Sequence, residues 1–434
     1  MKGILKKISI ITIYLVCIST VAFGQYSELS PTSIYGFGDL QELGSIRQRT
    51  LGGSLSTSLE KNRYSDGNMA SLGGVRFFHF QTALSIQPRT YNFTQFDNSK
   101  VNFKNTFLSI PYISVAMPID TSHGVGLAVG LRPFSTVSYQ SSALRTDRAG
   151  TRNIFQKSGG LSEIYVGSSV TPIKNLNIGL AASYLFGREL SKKTTHFEDT
   201  AIYFDITEEL DRSRQGVIFR TGLTYNLDFD SSHLQFGATY QLGTKLNSST
   251  FNKSYTNIQN STSVIFIDSI NVLSKYNNSL YAPSSFSAGL SFQTKNNLIL
   301  SAEYGVTTFS TKYVGDEVNN VKNSFRTGLG IQYTPDTSGR RIFKRMSYRA
   351  GLKYATLPTT IRGNTINDYR ISVGVGIPLP AYKLPYSKLS FIDVHFEYGV
   401  SQTVDPSIYS KQYFGVGVGV QVTEIEWFRK RRLE

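Results

Sequence analysis

From residue 77 to its end the chain alternates between apolar side chains and small or polar ones, in segment after segment. Asn175 to Phe186 sets Leu176, Ile178, Leu180, Ala182, Tyr184 and Phe186 against Asn177, Gly179, Ala181 and Ser183. Near the C-terminus Phe414, Val416, Val418, Val420 and Val422 alternate with Gly415, Gly417, Gly419 and Gln421. A pleated strand sends successive side chains to opposite faces, so each segment is a strand with one apolar face. The second face is mostly Gly, Ser, Thr and Gln, whereas a water-facing sheet surface would be rich in Lys, Glu and Asp. An apolar face turned to lipid and a small, polar face turned inward is the pattern of a transmembrane β-barrel.

Composition agrees with this reading. The chain has 26 Tyr, 28 Phe and only 17% charged residues, against about 25% in ordinary soluble domains. After residue 25 there is no apolar run of eighteen or more, so no membrane-spanning helix is expected. Tyr225, Tyr304, Tyr333, Tyr354 and Tyr398 fall toward strand ends, where amphipathic rings suit a membrane interface.

Strands are predicted near 77–87, 105–118, 123–138, 161–173, 174–189, 213–227 and 231–245. The second half gives 283–295, 296–308, 322–335, 345–356, 368–378, 387–401 and 410–422. The fold class is therefore all-β, a transmembrane antiparallel barrel of about fourteen strands. Short turns alternate with longer loops at about 88–104, 139–160, 190–212, 246–282 and 309–321. Even parity places both barrel ends in the periplasm.

The first residues set the compartment. Lys2, Lys6 and Lys7 precede the apolar Ile8–Val21, and Ala22-Phe23-Gly24 resembles a cleavage site before Gln25. Residues 1–24 are read as a cleaved signal peptide, 25–76 as an N-terminal hatch or plug, and 77–434 as the barrel in the cell outer membrane. Cys17, the one cysteine, lies in the signal peptide, so disulfides and thiol chemistry are not expected.

Residues 25–76 do not alternate and contain Tyr35-Gly36-Phe37-Gly38, Leu51-Gly52-Gly53 and Asn68-Met69-Ala70. Further on comes Gly130-Leu131-Arg132-Pro133-Phe134-Ser135. Here the chain resembles the FadL/TodX family of outer-membrane transporters for long-chain fatty acids and other hydrophobic compounds. The resemblance implies fourteen strands and a lumen-filling hatch that leads into the first strand through an Asn-Pro-Ala motif, where this chain has Asn68, Met69 and Ala70. It also implies a kinked third strand with a lateral opening at Gly130, Arg132, Pro133 and Phe134. Physics supports a break there independently, because proline cannot donate a ladder hydrogen bond.

By the alternation Glu303, Arg326, Arg349, Lys353, Arg370, Asp393, His395 and Glu397 point into the lumen. Buried charges of both signs should pair with each other or with the hatch. The sharper alternative is that some bind a ligand carboxylate or gate the hatch. No second histidine stands at ligand spacing from His395, so no metal is expected. No serine is singled out beside a base, so no catalysis and no cofactor is expected. Inward glycines such as Gly179, Gly222, Gly237, Gly328 and Gly351 point to a filled lumen. The net charge of +15 gathers at Arg340-Arg341, Lys344-Arg345 and Arg429–Arg432, where phospholipid headgroups are a simpler partner than nucleic acid.

The expected partners are the outer-membrane bilayer and a small hydrophobic ligand. The expected function is passage of that ligand, with sideways exit near Pro133. The alternative is a non-transporting barrel within an envelope secretion or surface-attachment complex, which would supply a protein partner.

Overall fold

The computed structural model describes residues 29–57, 59–60, 63–94, 100–145, 150–198, 204–259, 264–309, 321–336, 341–379 and 390–424. The predicted signal peptide, most of the loop at 309–321 and the basic run Arg429–Arg432 lie outside them.

The N-terminal part contributes one short strand, β1 (Asp39–Leu40). The wall follows: β2 (Phe78–Thr94), β3 (Lys100–Ser109), β4 (Ile113–Asp120), β5 (Val125–Leu144), β6 (Thr151–Ile173), β7 (Leu176–Phe197) and β8 (Asp205–Asp228). Next come β9 (His233–Gln241), β10 (Lys245–Gln259), β11 (Val264–Tyr281), β12 (Ser284–Gln293), β13 (Leu298–Thr308) and β14 (Ser324–Tyr333). The chain finishes with β15 (Ser347–Ile361), β16 (Asn364–Pro378), β17 (Phe391–Gln402) and β18 (Tyr409–Glu424).

Three pairs of these strands are single bent staves: β3 with β4, β9 with β10, and β11 with β12. Each wall neighbour pairs antiparallel with the next, and β18 returns to β2, so fourteen staves close the barrel. Outward positions carry Leu180, Phe219, Leu329, Leu352 and Ile371, each more than half exposed. Inward positions are buried and polar, among them Ser183, Glu163, Thr224, Ser301 and Gln332. A surface more apolar than its core is stable only against lipid. Among the described residues no helix is long and apolar enough to cross a membrane.

The outer hairpins differ from expectation. The predicted loops at 88–104, 139–160, 190–212 and 246–282 are largely strand. β6, β7 and β8 run for 23, 22 and 24 residues, about twice the 9–11 that a tilted strand needs to cross a bilayer. The reason is local. Outside the lipid these strands have no apolar face, and cross-strand charge pairs hold them instead. Lys192 and Lys253 flank Glu209 at 3.2 and 2.8 Å, and Lys193 meets Glu208 at 3.7 Å. The acidic run Glu208, Glu209 and Asp211, within the stretch predicted as a loop, is thus one side of a paired sheet.

Residues 29–75 contact the inner faces of strands all round the wall. Glycine at the inward positions is what lets two backbones meet. A Cβ at Gly328 would stand 2.0 Å from the Gly52 carbonyl oxygen, and one at Gly237 2.0 Å from that of Ser56. The short helix Ile46–Thr50 packs on β17, and the 3-10 turn Met69–Gly74 packs on β6 and β7.

Candidate functional site: the lumen contacts and the wall opening

Two features of the wall set the geometry of the site. β4 pairs with β5 only as far as Ile113 opposite Leu131. Beyond that point β3 pairs with β2 alone, and among the described residues no ladder joins β3 to the outer half of β5. Proline flanks the opening on both sides. Pro111 lies where β3 breaks from β4, and Pro133 lies beside a bulge that shifts the register of β5 on β6 before Ser135. Neither residue can donate to a neighbouring strand.

The free edge of β5 is occupied from within by residues 30–41. Asp39 and Leu40 of β1 pair with Thr136 and Ser135. The Gln41 amide donates to the Phe134 carbonyl at 2.9 Å and the Ser30 amide to that of Ser138 at 2.7 Å. The Ser33 hydroxyl donates to the Ser138 carbonyl at 2.8 Å and accepts from its amide at 3.0 Å. Phe37 sets its ring edge-on to Phe134 at 5.9 Å. On the β3 side the Asn105 side-chain Nδ2 donates to the Leu29 carbonyl at 2.7 Å.

Farther along, the N-terminal segment is held by charge. The eight lumen residues expected from the alternation fall into three groups, each completed by this segment. Glu303 of β13 accepts from the Leu55 and Ser56 amides at 2.5 and 2.8 Å and pairs with Arg326 at 3.2 Å. Arg349 pairs with Asp393 at 2.6 Å, and Arg63 approaches Asp393 and Glu60 at 3.5 Å each. Arg47 reaches Glu60 at 3.1 Å. Burial alone would raise the Glu60 carboxyl, but Arg63, Arg47 and Arg349 outweigh it and hold the group at about 2.

The third group centres on Glu42, which takes Lys353 at 2.6 Å and Arg370 at 2.8 Å. Arg370 also meets Glu397 at 3.4 Å. His395 is engaged at both ring nitrogens, by the Thr50 hydroxyl at 3.0 Å and Glu397 at 3.1 Å. Such full engagement makes it a bridge between wall and segment. Among the described residues no group of three or more His, Cys, Asp or Glu side chains is placed to hold a metal.

Alternation did not single out a fourth group. Glu163 of β6 is fully buried between Arg132 and Arg220, and Arg132 also reaches Asp66 at 2.9 Å. Arg132 therefore turns into the lumen, while Pro133 marks the wall and Phe134 is buried against Phe37. Gly130 leaves room for the Tyr165 ring. The inward parity of Glu163 and Arg220 was available in the sequence; the partner Asp66 was not. Asn68 caps the Met69–Gly74 turn by accepting from the Ala70 amide at 3.0 Å, and donates to the Ser56 carbonyl at 2.6 Å. Met69 occupies the first helical position, where proline is also accommodated, and packs with Tyr64, Leu72 and Tyr165.

A cavity of about 280 Å³ lies between residues 38–43 and the inner faces of β2, β3, β15 and β18. Seven cationic side chains line it against four carboxylates, and Glu163 and Glu303 just outside pair with two of the cations, Arg220 and Arg326; Leu40, Leu43, Leu55, Phe107, Phe134, Phe325 and Leu357 are among its apolar residues.

The BamG family model matches residues 4–434. The chain belongs to the BamG family. No curated protein matches it. Solved structures similar to this BamG-family chain include transporters and channels. The Pseudomonas putida toluene transporter TodX is 12% identical, with a TM-score of 0.52 over 90% of this chain and 99% of that one. The Ralstonia pickettii toluene transporter TbuX is 14% identical, with a TM-score of 0.52 over 90% and 100%. A TodX deltaS2S3 mutant, a monoaromatic hydrocarbon channel, reaches 0.57 at 13% identity over 88% and 98%. At these identities the likeness establishes the barrel fold that the BamG-family chain shares with them.

Proposed function

We propose that this outer-membrane barrel passes small amphipathic or hydrophobic molecules, long-chain fatty acids among them, from the lumen cavity sideways through the opening between β3 and β5. Residues 25–76 act as the hatch, and residues 30–41 as its movable part. The observation that carries this reading is the free edge of β5 beyond Leu131, held by β1 where a wall strand would otherwise pair. Magnitudes say which part moves. Residues 30–41 are held by hydrogen bonds that are mostly neutral and worth about 0.5–1.5 kcal/mol net each, by the Lys157 ammonium on the Ile34 carbonyl and by the buried Phe37 ring. Residues 42–68 are held through buried charge pairs, where losing one partner costs about 3–5 kcal/mol. The strap can leave the wall while the rest of the hatch stays anchored. Sideways exit suits such a solute because it enters the bilayer without crossing water.

The test is mass spectrometry of lipid extracted from the gently solubilised barrel, together with fatty-acid uptake by cells carrying wild type or Pro133→Ala. Enrichment of a fatty acid with altered uptake in the variant supports transport. An empty barrel and an indifferent variant would transfer the claim to a second reading. That reading is a non-transporting barrel in an envelope secretion or surface-attachment complex, and the tall outer sheet of β6, β7 and β8 favours it as a platform for a protein partner. A stoichiometric protein retained through native detergent would support it.

A further inference from the structure

Charge is spread unevenly round the short-turn rim of the barrel, the periplasmic end by its even parity. Three successive connections, β12–β13, β14–β15 and β16–β17, carry Lys295, then Arg341, Lys344 and Arg345, then Lys383 and Lys388, against one carboxylate, Asp336. Elsewhere on the rim the β4–β5 and β8–β9 turns carry Asp120, Asp228 and Asp230. The middle basic connection has a defined shape. Its residues Ile342–Arg345 form one helical turn after Arg341, and the Asp336 amide donates to the Lys344 carbonyl at 2.8 Å.

This turn lies on the lipid side of the wall. Tyr348, the second residue of β15, faces outward between the buried Ser347 and Arg349 and stands opposite Tyr333 of β14. Its hydroxyl donates to the Phe343 carbonyl at 3.0 Å, and the helical turn packs on β16. Toward mid-membrane the outward stripe continues as Ile331, Leu329, Leu352 and Val373, all apolar and exposed. Paired tyrosines at the end of such a stripe mark the headgroup level.

Within the turn the two chemistries divide by side. Arg341 stands three residues before Lys344 and four before Arg345, so the three cations are neighbours on the helical surface. Arg341 and Lys344 are exposed and Arg345 is half-buried, and none has an ion-pair partner among the described residues. Ile342 and Phe343 leave the turn on the other side, and Phe343 is 69% exposed, with little protein to cover its ring.

We propose that this turn binds the headgroup of an anionic phospholipid in the inner leaflet. Arg341, Lys344 and Arg345 take the phosphate, and Ile342 and Phe343 enter the acyl region beside it. A bilayer supplies both halves of this complement on the face where the wall already meets lipid, and the surplus of cations selects a lipid of net negative charge. The site does not depend on the opening beside β5, and it stands whether or not solute crosses there.

The experiment puts a reporter at the site. Phe343→Trp is combined with Trp427→Phe, which removes the one native tryptophan. The purified full-length protein is placed in phosphatidylcholine liposomes containing a minority of phosphatidylglycerol. Brominated acyl chains, which quench tryptophan on contact, are carried by one lipid or the other at unchanged composition. Quenching per brominated lipid should be several-fold stronger when phosphatidylglycerol carries the bromine. Arg341→Gln, Lys344→Gln and Arg345→Gln together should bring that ratio to about one. Lys174→Gln, in the β6–β7 turn away from the basic sector, should leave it unchanged. Inorganic phosphate at constant ionic strength should also leave it unchanged. Absence of quenching by either lipid would put the turn outside the bilayer and overturn the proposal. Equal quenching by both, or a ratio that survives the triple substitution, would overturn it too. So would a ratio abolished by inorganic phosphate, which would assign the cations to a free anion.

Discussion

Arg132 donates to Glu163 through Nε at 3.3 Å and Nη2 at 3.1 Å, and to Asp66 through Nη1 at 2.9 Å. One guanidinium thus ties β6 to the N-terminal segment at the level where the ladder between β4 and β5 ends. Glu163 is fully buried and also neutralises Arg220. Glu163→Gln would leave two buried cations undercompensated, and we expect a loss of about 3–5 kcal/mol in stability. Glu208→Gln, which breaks a largely exposed pair with Lys193, should cost less than about 1 kcal/mol. Denaturant midpoints of the refolded barrels, read by gel mobility, check the contrast; equal midpoints would contradict it.

The close approach of segment and wall gives a steric test. A side chain at Gly328 would collide with the Gly52 carbonyl, main chain that has no rotamer by which to give way. Gly52 itself has φ +67, a conformation that favours glycine. We expect Gly328→Val to leave the barrel folded and to lift the segment from the wall. Trypsin should then cut at Arg47 and Arg49, slowly cleaved in wild type because Arg47 is buried. Unchanged cleavage would show that the wall can accommodate the extra atoms.

Acid should loosen the same segment. The Glu60 carboxyl is lowered from an ordinary 4.5 to about 2. Its contribution to stability is therefore complete above about 4.5 and is lost as pH falls from there through about 2. Melting temperatures of wild type should converge on those of Glu60→Gln across that window and differ most above it. A constant difference between the two proteins from pH 7 to 2 would contradict the pairing with Arg47 and Arg63.

How legible all this was depended on whether the signal was periodic. Val416, Val418 and Val420 against Gly415, Gly417 and Gly419 required a strand with one lipid face, and that strand is β18. In the outer halves of β7 and β8 the charges run together along each strand and match only across strands, Lys192 with Glu209 and Lys193 with Glu208. These outer halves present no apolar face from which a strand could be read. Pro111, within the predicted strand 105–118, carries the same signal of a break as Pro133. Glu42 and Glu60 lie between the short elements of the N-terminal segment, outside any periodic pattern. Their partners Arg370, Lys353 and Arg47 follow from tertiary packing, which no local pattern encodes.

In the proposed function residues 30–41 close the wall and leave it for solute to pass. Leu40 and Ser135 face each other, and the hydrogen bond from Gln41 to Phe134 makes theirs the neighbouring non-hydrogen-bonded pair. Such pairs have Cα atoms about 4.5 Å apart, within the range a disulfide spans. Leu40→Cys with Ser135→Cys, in a chain whose one other cysteine is Cys17, can therefore be locked by oxidation. Fatty-acid uptake by cells carrying the double variant should fall to background when oxidised and return on reduction, with each single variant unaffected. Uptake that persists through the locked strap, or that is absent from the wild-type barrel as well, would contradict the account.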